Sequence, residues 1–148
     1  MPVPDAPTLT YRFTIVAEVG EYLKLHQDAA RMLELIPITG GTISGDLTGS
    51  VVPGGGDWCS TLADGSYEVE ARYVFQTDDG ALVDVVNTGI LRHLGDQKGP
   101  PSEMGYFLTT PTFRTVAPDL QWLTRSLFLG KARTAPGATT IDIFEVSP

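Results

Sequence analysis

The stretch YEVEARYVFQTDDGALVDVVNTGIL, residues 67–91, decides the fold class. In its first ten residues, Tyr67, Val69, Ala71, Tyr73 and Phe75 alternate with Glu68, Glu70, Arg72, Val74 and Gln76. Alternation with a period of two is typical of a β-strand that presents a different face to each side. The sequence Thr77-Asp-Asp-Gly80 supplies the residues that tolerate positive φ in a hairpin turn. The stretch therefore predicts two antiparallel strands joined by a tight turn.

Segments of the same kind lie on both sides of this hairpin. Sixteen glycines and eleven prolines separate short runs rich in Val, Ile, Thr, Tyr and Phe, as in antiparallel all-β domains. We expect further strands at residues 8–19, 42–53 (a pair), 105–110, 113–116, 127–132 and 139–146. Two segments predict short helices: Glu21–Leu35, which Pro37 would end, and Asp119–Arg125. The loop Gly95–Ser102 (GDQKGPPS) is the best candidate for a mobile lid.

The fold class that follows is all-β with one or two short helices. The chain of 148 residues predicts a single domain, 1–148, in which residues 1–7 form an extended tail. Periodicity alone does not separate a sandwich from a barrel. Glu70 and Arg72 on one strand face favour an antiparallel closed β-barrel, because a barrel interior accommodates either an apolar core or a polar cavity.

Composition excludes several functions. Eighteen acidic and ten basic residues give a net charge of −8, which repels phosphate backbones, so no nucleic acid is expected as a partner. The single cysteine, Cys59, excludes an internal disulfide, and Cys59 with His26 and His93 gives no zinc spacing. No apolar run reaches the roughly 20 residues of a membrane span, and no signal peptide is recognisable. We expect a cytoplasmic protein with no membrane partner and no metal.

A glycine-rich segment carries the most specific chemistry. It reads Gly40–Gly45 (GGTISG) and then Gly49–Trp58 (GSVVPGGGDW). Gly54-Gly-Gly56 allows the backbone to approach something bulky, and Asp57-Trp58 places a carboxylate and an indole at the end of that bend. The glycines do not match a nucleotide-binding loop, because no helix and no Lys-Ser/Thr pair follows them.

These residues belong to a longer pattern that resembles the DUF3237 (UPF0311) family. The pattern continues with Ala71-Arg-Tyr73, Asn87-Thr-Gly89, Tyr106-Phe107 and Trp122–Phe128, from about Tyr11 to Val146 in the same order. The resemblance implies a small barrel similar to lipocalin-like or allene-oxide-cyclase-like barrels. Some family members are similar to cofactor-independent isomerases or cyclases of the chalcone-isomerase type, which add a phenol oxygen to an enone. The chain departs from the expected pattern at Leu108, Arg114 and Thr124.

The resemblance and the residue types together predict a catalytic site. Asp57, or alternatively Glu70, would move a proton, and Arg72, Asn87 and Tyr106 would hold a carbonyl or enolate oxygen. This requires Arg72 and Asp57 to meet inside one chamber. The alternatives are an outward-facing Arg72 and a structural turn at Asp57. Aromatic residues would bind the substrate: Trp58, Tyr73, Phe107, Phe113, Trp122 and Tyr11.

The predicted function is that of a cofactor-independent lyase or isomerase, of the cyclase or hydratase type. Its substrate would be a small enone or other carbonyl-containing, aromatic metabolite bound in the barrel. Such chemistry needs no cofactor, because the substrate carbonyl stores the developing charge. Two alternatives remain: a non-catalytic carrier barrel, and a barrel that serves only to build an assembly. Homo-oligomerisation is compatible with all three.

Overall fold

The computed structural model describes all 148 residues as nine strands and two short 3-10 helices, which confirms the all-β prediction. The strands are Thr8–Val19 (β1), Leu23–Gln27 (β2), Arg31–Gly45 (β3), Gly49–Leu62 (β4), Tyr67–Thr77 (β5), Leu82–Arg92 (β6), Tyr106–Arg114 (β7), Leu127–Ala135 (β8) and Ala138–Ser147 (β9). The 3-10 helices are Pro101–Glu103 and Pro118–Thr124. Neither helix is long and apolar enough to cross a bilayer.

The sheet closes on itself. Strands β3 to β9 pair in chain order and antiparallel, and β9 pairs with β1. The second half of β3, Ile38–Gly45, then pairs with Phe13–Val19 of β1. Eight strands thus form a closed antiparallel barrel, as predicted, and β2 extends one rim by pairing only with the first half of β3.

The helix predicted at Glu21–Leu35 is wrong. This segment forms β2 and the start of β3, which are joined at Asp28. The Asp28 carboxylate accepts hydrogen bonds from the amides of Ala30 and Arg31 at 2.8 and 3.0 Å, and these bonds fix the reversal. The remainder of β3 pairs along β4, so long-range strand pairing overrides a local helical pattern. The second helical segment is confirmed as the 3-10 helix Pro118–Thr124.

Aromatic side chains fill one half of the barrel. The rings of Phe13, Phe75, Phe113, Phe128 and Trp122 contact one another with centroids 5.2 to 6.5 Å apart. Such tilted and edge-on pairs contribute beyond the burial of their apolar area. The 3-10 helix Pro118–Thr124 covers this end with two buried leucines. The opposite half of the barrel is less densely filled, and it holds the site.

Candidate functional site

A cavity of about 290 Å³ occupies the half of the barrel away from the aromatic cluster. This volume lies at the small end of ligand pockets, which span roughly 300–1,000 Å³. Hydrophobic residues such as Ala17, Ile38, Val69 and Leu91 form much of the wall. The polar or titratable side chains in the wall are Tyr22, Glu34, Asp57, Cys59, Tyr67, Tyr73, Asn87, Thr109, Thr134 and Thr139.

The glycine-rich bend on β4 shapes one side of this cavity. The pairing of β4 with β5 is irregular between Val52 and Gly56, so Gly54 and Gly55 form a bulge. A Cβ at Gly55 would lie 2.5 Å from the Tyr73 Cβ and 2.5 Å from the Arg72 carbonyl oxygen. Only glycine fits there, because real Cβ atoms do not approach so closely. The bulky neighbour predicted for the glycine bend is therefore the Tyr73 side chain at Gly55, whereas a Cβ at Gly54 would meet nothing within 4 Å.

Asp57 follows the bulge and faces the cavity. Its Oδ1 accepts a hydrogen bond from the Glu70 amide at 2.9 Å, and it forms no ion pair. Burial raises the pKa of Asp57 to about 6; the Glu70 amide bond opposes this rise and the Glu70 charge adds to it. Near neutral pH such a carboxylate is mostly ionised yet holds a proton readily, as a general base requires.

Strand register places Asn87 and Tyr73 near this carboxylate. Asp57 pairs with Ala71 on β5, and Ala71 pairs with Asn87 on β6, so the three residues form one row across the sheet. Asp57 and Asn87 are therefore two strand spacings apart, each of roughly 4.8 Å, and the small Ala71 side chain leaves the space between them open. Tyr73 lies one step deeper on the same face. Burial, with the Asp57 charge, raises the pKa of its phenol, so Tyr73 remains a neutral donor.

Several polar atoms of the cavity wall have no partner. The Tyr73 hydroxyl, Asn87 Oδ1, and the Thr109 and Thr134 hydroxyl oxygens are buried without a hydrogen bond. Tyr73, Asn87 and Thr109 are 3%, 4% and 3% exposed. Buried polar groups in proteins are nearly always hydrogen-bonded, so these four atoms are available to water or to polar ligand atoms in the cavity.

Arg72 is the main correction to the predicted site. It lies on β5 between Ala71 and Tyr73, so its side chain points to the opposite, solvent-exposed face. The expectation that Arg72 and Asp57 share one chamber is therefore wrong. Strand alternation requires this outcome once the Tyr73 face lines the interior.

Other candidate residues also lie outside the barrel. Glu70 is on the same outer face as Arg72, and its backbone amide, not its carboxylate, contacts Asp57. Trp58 is 42% exposed, and with Tyr106 it borders an open outer depression. The Tyr106 ring lies 4.2 Å from the Arg92 guanidinium carbon. Glu70, Trp58 and Tyr106 therefore do not line the cavity in which the substrate is expected.

The aromatic candidates divide between the two halves of the barrel. Tyr73 and Phe107 line the cavity. Phe113 and Trp122 belong to the aromatic cluster at the closed end, and Tyr11 is half exposed, with its ring edge-on to Phe144. Phe113, Trp122 and Tyr11 therefore do not line the predicted substrate cavity, because Phe113 and Tyr11 lie at other levels of their strands and Trp122 lies in the 3-10 helix at the closed end.

Sequence reasoning missed several cavity residues, notably Glu34, Tyr67 and Thr109. Tyr67 shares the strand face of Tyr73, so the alternation itself could have identified it. Glu34 was hidden within the incorrectly predicted helix. In the predicted lid Gly95–Ser102, Pro101 is the residue that forms part of the cavity wall.

The cavity offers neither a metal site nor a thiol nucleophile. No group of three or more His, Cys, Asp or Glu side chains has an arrangement that could hold a metal ion. Cys59 lines the cavity, but burial, with the nearby charges of Asp57 and Glu34, raises the pKa of its thiol to about 12. Its thiolate is therefore scarce near neutral pH.

Comparison with known proteins assigns the chain to a family with little functional description. A family model described as "Protein of unknown function (DUF3237)" matches residues 7–146. A UPF0311 protein of Rhodopseudomonas palustris is 37% identical over 150 residues, covering 95% of this chain and 98% of the relative. A crystal structure of a conserved protein of unknown function from R. palustris has a TM-score of 0.88 at 33% identity, covering 97% and 99% of the two chains.

A more distant relative carries a functional name. The "Hydroalkoxylation enzyme phnH" of Penicillium herquei is 28% identical over 117 residues, covering 79% of this chain and 78% of the enzyme. A crystal structure of an enzyme from Penicillium herquei has a TM-score of 0.79 at 22% identity, covering 99% of each chain, and shows the shared fold.

Proposed function

This chain belongs to the DUF3237 family, and from that premise we propose that it is a cofactor-independent isomerase or lyase that adds a hydroxyl across an activated C=C bond. The substrate is a small α,β-unsaturated carbonyl compound, bound in the barrel cavity. The distant hydroalkoxylation enzyme supports this reaction class, because hydroalkoxylation is the addition of an O–H group to a double bond. The observation that carries the proposal is the cavity-facing Asp57 carboxylate near the unpartnered Tyr73 hydroxyl and Asn87 amide.

The proposed reaction moves one proton and forms one C–O bond. Asp57 accepts the proton of the substrate hydroxyl, and the oxygen attacks the β-carbon. The π electrons of the C=C bond move to the carbonyl, which becomes an enolate. The protonated Asp57 then returns its proton to the α-carbon, so the product holds every atom of the reactants and is an isomer of the substrate when both groups belong to one molecule. When the hydroxyl belongs to the same molecule, a ring closes.

Tyr73 and Asn87 stabilise the enolate oxygen in this proposal. The Tyr73 hydroxyl is a buried donor without a protein partner, and the buried Asn87 Oδ1, an acceptor, also has none. A 180° rotation of the Asn87 amide places the donor Nδ2 where Oδ1 stands. Donors held in fixed positions lower the energy of a developing oxyanion, and loss of one typically costs about 10²–10³ in turnover. Arg72 has no role in this mechanism, since it faces solvent.

The test uses ortho-hydroxyphenyl propenyl ketone, which closes to a methylchromanone. Ring closure is followed by loss of the enone absorbance, and chiral chromatography distinguishes the enzyme's product from the racemic product of uncatalysed closure. We expect an excess of one enantiomer from the native protein. Asp57→Asn should lower turnover by about 10²–10⁴, the usual contribution of a general base. Tyr73→Phe should lower it by about 10²–10³.

Arg72→Gln is the matched control, because it lies beside Tyr73 on the same strand but faces outward. Equal turnover in native protein and Asp57→Asn would refute the proposed base.

The alternative function, a carrier barrel, is favoured by the open, ligand-sized cavity itself. Saturable ligand binding without product, and without deuterium uptake at the α-carbon in D₂O, would establish the carrier and refute the enzyme.

A further inference from the structure

The charges of the cavity wall are all of one sign. Two carboxylates, Glu34 and Asp57, line it, and no lysine, arginine or histidine does. We propose that the cavity rejects anionic ligands and takes uncharged unsaturated carbonyl compounds, with Glu34 as the residue that sets this selectivity. The inference deepens the proposed function and rests on it for the substrate class. It excludes carboxylates, phosphates and nucleotide-linked thioesters as substrates.

The position of Glu34 allows its carboxylate to interact with a ligand that enters the cavity. It pairs with Cys59 across β3 and β4, whereas Asp57 pairs with Ile36, so Glu34 lies one side-chain layer nearer the rim than Asp57. Diagonal neighbours of this kind are roughly 7–8 Å apart. The Glu34 carboxylate is half-buried and forms no hydrogen bond or ion pair, so its charge is not neutralised within the protein.

The remaining polar groups of the cavity suit a neutral ligand. Tyr73, Asn87 and Thr109 are at least nine-tenths buried and offer uncharged donors and acceptors. A ligand carbonyl can use these groups without bringing a charge near the two carboxylates. A ligand carboxylate loses its hydration and meets two like charges with no counter-charge, while the nearby cation Arg72 lies on the other side of the wall. At an effective dielectric constant of about 20, one like charge at roughly 7 Å weakens binding by about tenfold or more.

Three probes of the same shape test this selectivity. Benzylideneacetone and cinnamamide are uncharged, and cinnamate is their anionic counterpart. Binding is measured by isothermal titration calorimetry near neutral pH, independently of turnover, with Glu34→Gln compared against Glu68→Gln. Glu68 lies on the outer face of β5, so its substitution changes the net charge equally without changing the cavity.

We expect both neutral probes to bind the native protein and cinnamate to bind at least ~10-fold more weakly. Glu34→Gln should reduce the affinity difference between the neutral probes and cinnamate severalfold, and Glu68→Gln should leave that difference unchanged. The proposal would be overturned by any of three results. These are cinnamate binding as tightly as cinnamamide, an unchanged affinity difference between the neutral probes and cinnamate in Glu34→Gln, or no binding of either neutral probe. Failure of ring closure with the selectivity intact would instead count against the catalytic role alone.

Discussion

Replacing Asp57 by Asn should make the folded protein more stable and the site inactive. Asn keeps an oxygen that can accept the 2.9 Å hydrogen bond from the Glu70 amide, so the main change is loss of the carboxylate charge. That charge is costly, because burial raises the pKa of Asp57 from 3.8 to about 6. Each pKa unit corresponds to about 1.4 kcal/mol, so ionised Asp57 costs the fold up to roughly 3 kcal/mol.

Because the pKa of Asp57 is raised in the folded chain, the free-energy cost of its charge depends on pH in a definite direction. Below about pH 4 the carboxyl is protonated in both folded and unfolded chains, so the charge contributes no penalty. Because the folded chain holds its proton more tightly, the penalty grows as pH rises from about 4 to about 6 and is complete above that interval. Asp57→Asn should therefore exceed native stability by up to roughly 3 kcal/mol near pH 8 and by much less near pH 4. In a domain of this size the gain near pH 8 corresponds to roughly 6–12 °C in Tm.

Urea unfolding curves at the two pH values, each compared with the native protein, measure this difference. Comparison at matched pH removes the effects of the other carboxylates, several of which have lowered pKa values. Asp78→Asn, in the exposed turn after β5, is the control and should change stability by no more than about 0.5 kcal/mol at either pH. The claim that burial destabilises the Asp57 charge would be refuted if Asp57→Asn were less stable than the native protein near pH 8. It would also be refuted if the difference in unfolding free energy between the two proteins did not vary with pH.

Three further predictions test the placement of other residues. Arg72→Gln should leave the free energy of unfolding, measured in urea, close to the native value, because the side chain faces solvent. The rate of ring closure, measured by product formation, should stay within about twofold of the native rate. Gly55→Ala should cost about 1–3 kcal/mol of unfolding free energy, because its new Cβ would overlap Tyr73; unchanged stability would contradict the close approach. Phe113→Ala should cost about 3–5 kcal/mol by the same assay, since the ring is 4% exposed within the aromatic cluster, and a cost below about 1 kcal/mol would contradict its structural role.

The barrel could be predicted from the chain because strand alternation and turn chemistry are local properties. The Tyr67–Thr77 strand and its Asp-Gly turn follow from residue spacing alone, and the family resemblance supports closure. The Glu21–Leu35 segment was mispredicted because its apolar spacing suits a helix in isolation. Pairing of β2 with β3, and of β3 with the edge of β4, makes an extended conformation favourable there.

The alternation of residues 67–76 already predicts that Arg72 and Tyr73 point to opposite sides of one strand. The sequence also identified Asp57 and Asn87 as polar residues in unusual places. Which side faces the interior depends on contacts distant in the sequence, namely closure of β1 against β3 and the aromatic cluster that fills the other half of the barrel. Closure turned the Tyr73 face inward, so it brought Asp57, Asn87 and the unforeseen Glu34 to one cavity and left Arg72 in water.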